Sequence, residues 1–494
     1  MKRLWRDRRA ATAVMVAVLI VPLLATLGLA VDTTRVVMVQ TRLKTAVDAA
    51  VIVGARDMSD SARDANVKNQ FWANFQRVSP TSSIGYMDTT VDQLTVTQID
   101  TNTLGLTAKA TVPTTIMNIV GVPTVPVTSS SQATRAATGM ELSLVLDNTG
   151  SMKGWPIQSV VSSATNLVNI VYGSGGADTQ ENFWVSVVPF TAEVNIGPTH
   201  TGWLAAGSYN PGAYLNTTWK GCVMARYQTG DDFTDATPAA APFTPFLYPS
   251  TLGHYSVNRT PIKGDNDWSP TNITENSQTS LPDNTAVGPN LGCSTLPILP
   301  LTASRTTVLA SISQMVANFR GGTFINLGLQ AGWWNLSPNW RGLWGNATLP
   351  LDYNTPYMKK VIVLMTDGNN QWFDWDGGAP GAGPSPWRDD GDTDFSAYGR
   401  LLSNTMGLAN NSKANATANI NTRMSQMCTI IKQKGIIIYT ILFNHDGSVT
   451  PATQTLFQNC ASSPENYFLD VTAADLQASF SQVAGQLANL RVSK

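Results

Sequence analysis

The stretch LVLDNTGSM, residues 144–152, presents oxygen-bearing side chains at alternate positions, namely Asp147, Thr149 and Ser151. The apolar residues before Asp147 are typical of a buried parallel strand, and Gly150 favours a turn where that strand ends. Open α/β sheets bind ligands just beyond the carboxyl ends of their strands, and hard cations prefer oxygen ligands. The alternative is that these side chains only cap the next helix, since Asp, Ser and Thr are also preferred N-cap residues.

Two further stretches favour a metal site over simple helix capping. In FRGGTFINLGLQAG, a threonine follows two glycines, and in VIVLMTDGNN a β-branched strand leads into Asp367 and Gly368. Three separated segments therefore each present a small oxygen donor at a strand end or in a glycine-rich loop, which chance rarely arranges. The predicted metal ligands are Asp147, Thr149, Ser151, Thr323 and Asp367.

The elements that must position these ligands alternate between strand and helix patterns. In chain order they are ELSLVLD, a helix at 156–172, NFWVSVVPF, a helix near 303–319, KKVIVLM, a helix near 419–434, GIIIYTILF and a helix at 473–490. This alternation predicts an α/β fold with a doubly wound, mainly parallel sheet over residues 138–494. Two stretches rich in Gly, Pro and aromatic residues, at about 197–296 and 370–397, interrupt it as insertions. The second insertion is predicted to be a flexible loop. The alternative is that its Asp residues bind calcium.

The amino-terminal end has the pattern of a membrane anchor. The first ten residues, MKRLWRDRRA, are basic, and residues 10–31 contain no charged side chain. Such a run predicts a transmembrane helix with a cytoplasmic amino terminus and the bulk of the chain on the far side. A cleaved signal peptide is the alternative, because Gly28-Leu29-Ala30 forms a small-x-small site.

Residues 32–137 are predicted as a separate small module. The stretch VDTTRVVMVQTRLKTAVDAAVIVGARD continues the helical pattern out of the apolar run. Residues 90–137 then alternate Val, Leu and Thr with polar residues between turn signals, which predicts a small β-meander. A long helix followed by a compact antiparallel sheet suggests a pilin-like stalk of α+β type, with a plain membrane-proximal spacer as the alternative.

Composition excludes some classes of partner. Of 494 residues only 13% are charged and the net charge is -1, so a nucleic-acid surface is not expected.

Four cysteines occur without a C-x-x-C pair or a zinc-like histidine spacing. Export makes two disulfides plausible, and we favour pairs between neighbours in the chain, with buried free thiols as the alternative. The favoured pairs are Cys222 with Cys293 and Cys428 with Cys460.

No motif of a hydrolase, nucleotide-binding enzyme or zinc protease is present, so we do not expect an enzyme. The three histidines, His200, His254 and His445, lie in polar, loop-like contexts and are predicted as surface residues. Asp374 and Asp376 have the spacing of a carboxylate pair but no identifiable partner. An aromatic group in the same half of the chain is predicted to pack in the core or anchor loops rather than frame the site: Trp333, Trp334, Trp340 and Trp344.

The ligand stretches resemble the von Willebrand factor A family, whose metal-ion-dependent adhesion site combines Asp-x-Ser-x-Ser with a distant Thr and a distant Asp. Here Thr149 stands at the middle position, which keeps the hydroxyl and adds a methyl. The resemblance implies that Ser151 and Thr323, with Thr149 or a neighbour, touch Mg²⁺ or Mn²⁺, with Ca²⁺ as an alternative. Asp147 and Asp367 would bind directly or through water. An open coordination position would then accept an Asp or Glu carboxylate of a partner, so the implied chemistry is adhesion.

The amino-terminal sequence RDRRAATAVMVAVLIVPLLATLGLAVD, followed by TRLKTAVDAAVIVGARD, resembles TadG-like proteins of the Tad (Flp) pilus-assembly systems. WKGCVMAR, GGTFINLGLQAGWWNLSP, KKVIVLMTDGNN and GIIIYTILF are similar to the A domain of that family. The resemblance implies a protein anchored in the bacterial inner membrane, with a periplasmic bulk that assembles or anchors adhesive pili. Its partners would be pilins or other pilus-assembly proteins. A secreted or surface adhesin that binds a host or matrix protein through the same metal site is the alternative.

Overall fold

The computed structural model describes residues 8–56, 62–99, 103–134, 139–173, 176–213, 217–250, 254–255, 261–262, 266, 268, 288–318, 320–373, 393–410 and 412–492. The chain divides into two compact units, one built mainly from residues up to 137 and the other from residues 138–491. Each unit has its own hydrophobic core.

The first unit contains two helices and the expected antiparallel meander. Its elements are α1 (Arg8–Arg56), α2 (Arg63–Phe75), β1 (Thr90–Gln98), β2 (Thr103–Pro113) and β3 (Thr124–Thr134), with β2 in the centre of the sheet. Alternate residues of β2, such as Leu104 and Leu106, form one core with α1 and with Phe71 of α2. Helix α2 was not predicted, although Val67, Phe71 and Phe75 recur at helical spacing and are all buried.

Residues 10–31, which were predicted as a transmembrane helix, lie within α1. No helix in the described ranges is both long enough and apolar enough to cross a membrane.

The second unit is built from twelve strands and six helices in the part of the chain that the structure describes. In order they are β4 (Gly139–Asp147), α3 (Trp155–Tyr172), β5 (Phe183–Phe190), β6 (Val194–Asn195), β7 (Cys222–Val223), β8 (His254–Tyr255), β9 (Pro261–Ile262), β10 (Leu299–Thr302), α4 (Arg305–Ser313), β11 (Gly322–Thr323), α5 (Ile325–Trp334), β12 (Met358–Thr366), β13 (Gln371–Trp372), α6 (Lys413–Gln433), β14 (Ile437–Phe443), α7 (Pro451–Cys460), β15 (Tyr467–Asp470) and α8 (Ala473–Val492).

The main sheet has the order β15-β14-β12-β4-β5-β6-β7, and its first five strands are parallel. Strands β6, β7 and β10 join antiparallel at the β5 side. Every residue of β4 is buried because both faces of the sheet are covered. Helices α3, α4 and α8 pack with Leu144 on one face, and α5, α6 and α7 pack with Val145 on the other. The predicted mixed α/β class is therefore confirmed.

Helix α5, which begins two residues after Thr323, was not among the predicted helices. The glycines of this segment permit close contact between the helix and the sheet. A Cβ atom on Gly328 would lie 2.5 Å from the Phe190 ring, and one on Gly332 would lie 2.5 Å from Val145. Other predicted helix ends also shift, since α4 ends at Ser313 and α6 begins at Lys413, after the N-cap Ser412.

Both disulfides are present and follow the favoured pairing. Cys222 bonds to Cys293, and Cys428 on α6 bonds to Cys460 on α7. Parts of the two predicted insertions lie outside the described residues, including 269–287 and 374–392 with Asp374 and Asp376. The calcium-binding role considered for the second insertion therefore stays a prediction.

Candidate functional site

The carboxyl ends of β4 and β12 bring two of the predicted ligands together. Leu146 pairs with Met365 in the parallel register, so Asp147 lies beside Thr366 at the ends of these strands. Asp367 follows immediately after β12. The edge of the sheet thus collects side chains that are far apart in sequence, as the rule for open α/β sheets predicts.

A series of close polar contacts, here called the Asp147–Asp367 chain, joins four of the five predicted ligands. Asp147 Oδ1 accepts hydrogen bonds from the Thr149 backbone N–H (2.7 Å) and from Thr149 Oγ1 (2.6 Å). Thr149 Oγ1 lies 3.0 Å from Ser151 Oγ, which donates to Asp367 Oδ1 at 2.7 Å. The hydroxyl of Thr366 also donates to Asp147 Oδ2, at 2.5 Å.

Thr323, the fifth predicted ligand, lies in the short strand β11 and outside this chain. Strand β11, which contains Thr323, pairs with β13 just after the Asp367 loop, and the Phe324 N–H donates to the Thr191 carbonyl beyond the end of β5. Gly322 has a φ of +112°, and a Cβ atom there would clash with the carbonyl of Gln371. Among the described residues, the Thr323 hydroxyl makes no hydrogen bond to the other four predicted ligands.

The two carboxylates of the chain are buried and lack a strong cationic partner. Asp147 is 0% exposed and Asp367 is 1% exposed. Burial, and secondarily the nearby charge of Asp367, raise the pKa of Asp147 to about 7, while hydrogen bonds from Thr149 and Thr366 oppose the shift. Neither carboxylate forms an ion pair with Lys or Arg within the described ranges.

His445 is a site residue that the sequence did not reveal. Its prediction as a surface residue is wrong, because its side chain is 12% exposed and its Nε2 lies 3.2 Å from Asp367 Oδ2. This hydrogen bond raises the pKa of His445. Trp155, which is 50% exposed, packs edge-on against the imidazole with ring centroids 5.3 Å apart. The sequence did offer one sign that His445 belongs to the site. It lies just after β14, and the other site residues also lie at the ends of neighbouring strands.

The donor set fits a hard divalent cation. No group of three or more His, Cys, Asp or Glu side chains in the described part of the chain is arranged to hold a metal, so a cation here would depend on the hydroxyls. Hydroxyl and carboxylate oxygens suit Mg²⁺ or Mn²⁺ better than Zn²⁺. Two buried carboxylates beside one histidine also leave negative charge that a divalent cation would balance.

The remaining candidates from the sequence lie elsewhere. The imidazole of His200 packs on Trp203 with ring centroids 4.0 Å apart, and burial lowers its pKa. His254 lies in β8. The predicted core packing of the aromatic group is confirmed for its three buried members, Trp333, Trp334 and Trp340, and Trp344 stacks on Trp340.

Comparison with known proteins identifies the amino-terminal segment. Residues 10–57 match the Tad family model, described as "Putative Flp pilus-assembly TadE/G-like". No curated protein matches the chain.

Similar solved structures are distant. The pilus adhesin SpaC from Lactobacillus rhamnosus GG shares 11% identity at a TM-score of 0.34, with 84% of this chain and 36% of SpaC covered. The vWF domain of the type V pili tip protein Mfa5 from Porphyromonas gingivalis shares 10% identity at a TM-score of 0.35, with 72% of this chain and 97% of the Mfa5 domain covered. The chain thus spans about a third of SpaC. These similarities carry no functional argument, and the resemblance to TadE/G-like proteins is confirmed over residues 10–57.

Proposed function

We propose that residues 138–494 form a von Willebrand factor A-like domain that binds a divalent cation at the Asp147–Asp367 chain and docks an acidic residue of a partner protein. The observation that supports this proposal is the series of close oxygen contacts across the ends of β4 and β12, which ends in the hydrogen bond that Ser151 donates to Asp367. A series confined to helix capping would not extend from Ser151 to a buried carboxylate 216 residues further along the chain.

The proposed ligands combine neutral hydroxyl oxygens with charged carboxylate oxygens. The hydroxyls of Thr149 and Ser151 would face the cation, Asp147 and Asp367 would bind it directly or through water, and Thr323 would complete the set. Bound Mg²⁺ or Mn²⁺ supplies a Lewis-acidic position that a partner carboxylate can occupy. Ser151 is exposed, so this position would face the partner. The half-exposed Trp155 would add apolar contact at its rim.

The proposed setting is the assembly or anchoring of Tad (Flp) pili, with a pilin or another assembly component as the acidic partner. The TadE/G-like segment at residues 10–57 supports this setting. We further propose that residues 10–31 hold the chain in the bacterial inner membrane, that residues 32–137 act as a pilin-like stalk, and that the rest is periplasmic. Two disulfides fit an oxidising compartment. This role is binding rather than catalysis.

Calorimetric titration of Mg²⁺ and Mn²⁺ into the detergent-solubilised full chain tests the cation site. Wild-type protein should bind one of these cations saturably, and Asp147→Asn should lose the binding because the central carboxylate charge is removed. Asp470→Asn is the matched control, since Asp470 is also a buried carboxylate at the end of a strand of this sheet but lies outside the chain.

Circular dichroism verifies that each variant is folded. Equal cation binding by Asp147→Asn and wild type would overturn the proposed site. The absence of binding in folded wild-type protein would overturn autonomous cation binding and favour a scaffold role.

A further inference from the structure

The tip of the β2–β3 hairpin carries an apolar patch that the core does not use. Residues 115–122, between β2 and β3, read TIMNIVGV. Ile119 is 82% exposed, more than any other large hydrophobic side chain among the described residues, and Val122 is 39% exposed. A turn needs no such side chains, because Gly, Asn and Asp usually serve there.

Hydrogen bonds join the hairpin tip to α1 at Asp32, where the uncharged run of residues 10–31 ends. Asp32 is the first charged residue after residues 10–31, and its carboxylate is 1% exposed. It accepts backbone hydrogen bonds from Thr115 (2.9 Å), Ile116 (2.9 Å) and Met117 (2.6 Å). One turn earlier, Gly28 allows the Ile116 side chain to approach the helix, since a Cβ atom there would clash with it.

The residues of α1 beside this contact are also apolar and exposed. Leu29 is 52% exposed and Val31 is 56% exposed. Further along the uncharged run, five apolar side chains at nearly consecutive positions are 47–67% exposed: Met15, Val16, Val18, Leu19 and Ile20. With 3.6 residues per turn, these positions span more than half of the helix circumference, which is too wide for a single protein face to cover but not for lipid.

A cationic side chain, Arg35, contacts the first residue of the hairpin tip segment. Arg35 lies on α1 less than one turn beyond Asp32, and its guanidinium donates to the Met87 carbonyl (2.7 Å) and to Thr115 Oγ1 (3.3 Å). Arginine beside an apolar patch is typical of the boundary between acyl chains and anionic headgroups.

We infer that the hairpin tip, residues 116–122, inserts into the interface of a lipid bilayer beside α1, with Ile119 in contact with acyl chains. This inference rests on the proposed membrane anchoring of residues 10–31. The tip would give the first unit a second lipid contact, and two contacts would restrict its rotation about the helix axis at the membrane surface.

A single fluorescent probe can test the insertion in the full chain, because all four native cysteines are paired in disulfides. Ile119→Cys, Leu19→Cys and Lys109→Cys are labelled separately with an environment-sensitive nitrobenzoxadiazole group. Each protein is reconstituted into phosphatidylcholine vesicles with a minority of phosphatidylglycerol, with and without nitroxide-bearing lipids. Lys109 is the control, since it is exposed in the middle of β2.

We expect lipid nitroxides to quench the probes at positions 119 and 19 and to leave the probe at position 109 unchanged. Quenching at position 19 without quenching at position 119 would overturn the tip insertion while leaving the anchor intact. No quenching at either position would overturn the anchor, and the insertion with it. A probe at position 119 that is shielded from aqueous iodide but not quenched by lipid nitroxides would show contact with a second protein instead.

Discussion

Individual carboxylates at the carboxyl end of the sheet differ in how their oxygens are satisfied. Both oxygens of Asp147 accept hydrogen bonds, and both oxygens of Asp367 have a partner in Ser151 or His445. Asp470, at the end of β15, accepts from Ser479 through Oδ1 at 2.7 Å, but its buried Oδ2 has no hydrogen-bond partner. An unsatisfied buried oxygen disfavours the charged form of the group.

Asp470→Asn should therefore stabilise the protein at neutral pH. Burial raises the pKa of Asp470 from 3.8 to about 6, so its protonated form is favoured in the folded state. The ionised Asp470 carboxylate lowers the free energy of unfolding. This effect is absent below pH 4, grows as the pH rises toward 6 and is complete above pH 6. With partial solvent screening, the variant should gain about 1 kcal/mol of unfolding free energy at pH 7.5 and almost nothing at pH 4. Urea unfolding at both pH values measures this, and an equal effect at both would contradict it.

At the scale of elements, helices α6 and α7 follow each other around β14 and pack on the same face of the sheet. Their disulfide joins Cys428 and Cys460, both 1% exposed. Because these helices cover the strand that precedes His445, their attachment bears on the stability of the candidate site.

Replacing both Cys428 and Cys460 by alanine should lower the free energy of unfolding. The disulfide closes a segment of 32 residues, and removing such a constraint from the unfolded chain costs about 3 kcal/mol. Urea unfolding of the double variant beside oxidised wild type measures the loss. Reduced wild type, in which the sulfur atoms remain, controls for the cavity that alanine creates. Unchanged stability in both comparisons would contradict a stabilising role for this bond.

At the scale of the whole molecule, the two units have separate cores and different surfaces. The candidate cation site belongs to the second unit, whereas the exposed apolar side chains of residues 15–31 belong to the first. This division agrees with a proposed anchor in one unit and a proposed docking site in the other.

Leu19→Arg should release the chain from the membrane fraction of an expressing bacterium. Arginine near the centre of an apolar run disfavours insertion by about 3 kcal/mol. Ile52→Arg is the matched control, because Ile52 is an exposed apolar residue of the same helix outside the run. Fractionation after a carbonate wash measures how much protein stays in the membrane. Protease digestion of spheroplasts shows on which side of the membrane the bulk of the chain lies. A wild-type product released after cleavage behind Ala30 would favour the secreted adhesin.

Part of the site follows from local sequence and part does not. Asp147 and Asp367 are recognisable because each ends a run of buried strand residues, and the ends of neighbouring parallel strands meet. His445 also follows a strand, but a histidine in a polar loop gives no local sign of its partner. Helix α5 was missed because its glycines suggest a turn, whereas contact with Phe190 and Val145 decides that a helix forms there.

By itself, the sequence determined the mixed α/β class, the central strands and the cysteine pairs, and it pointed to the four residues of the Asp147–Asp367 chain as predicted ligands. These depend on apolar periodicity and on residue types that stand at recognisable positions, such as the ends of strands. Only the tertiary structure decided that Thr323 lies outside that chain, that His445 contacts Asp367 and that Asp32 fastens an apolar hairpin tip to α1. Each of these depends on contacts between segments distant in sequence, whose distances are set by packing of the whole unit rather than by local propensity.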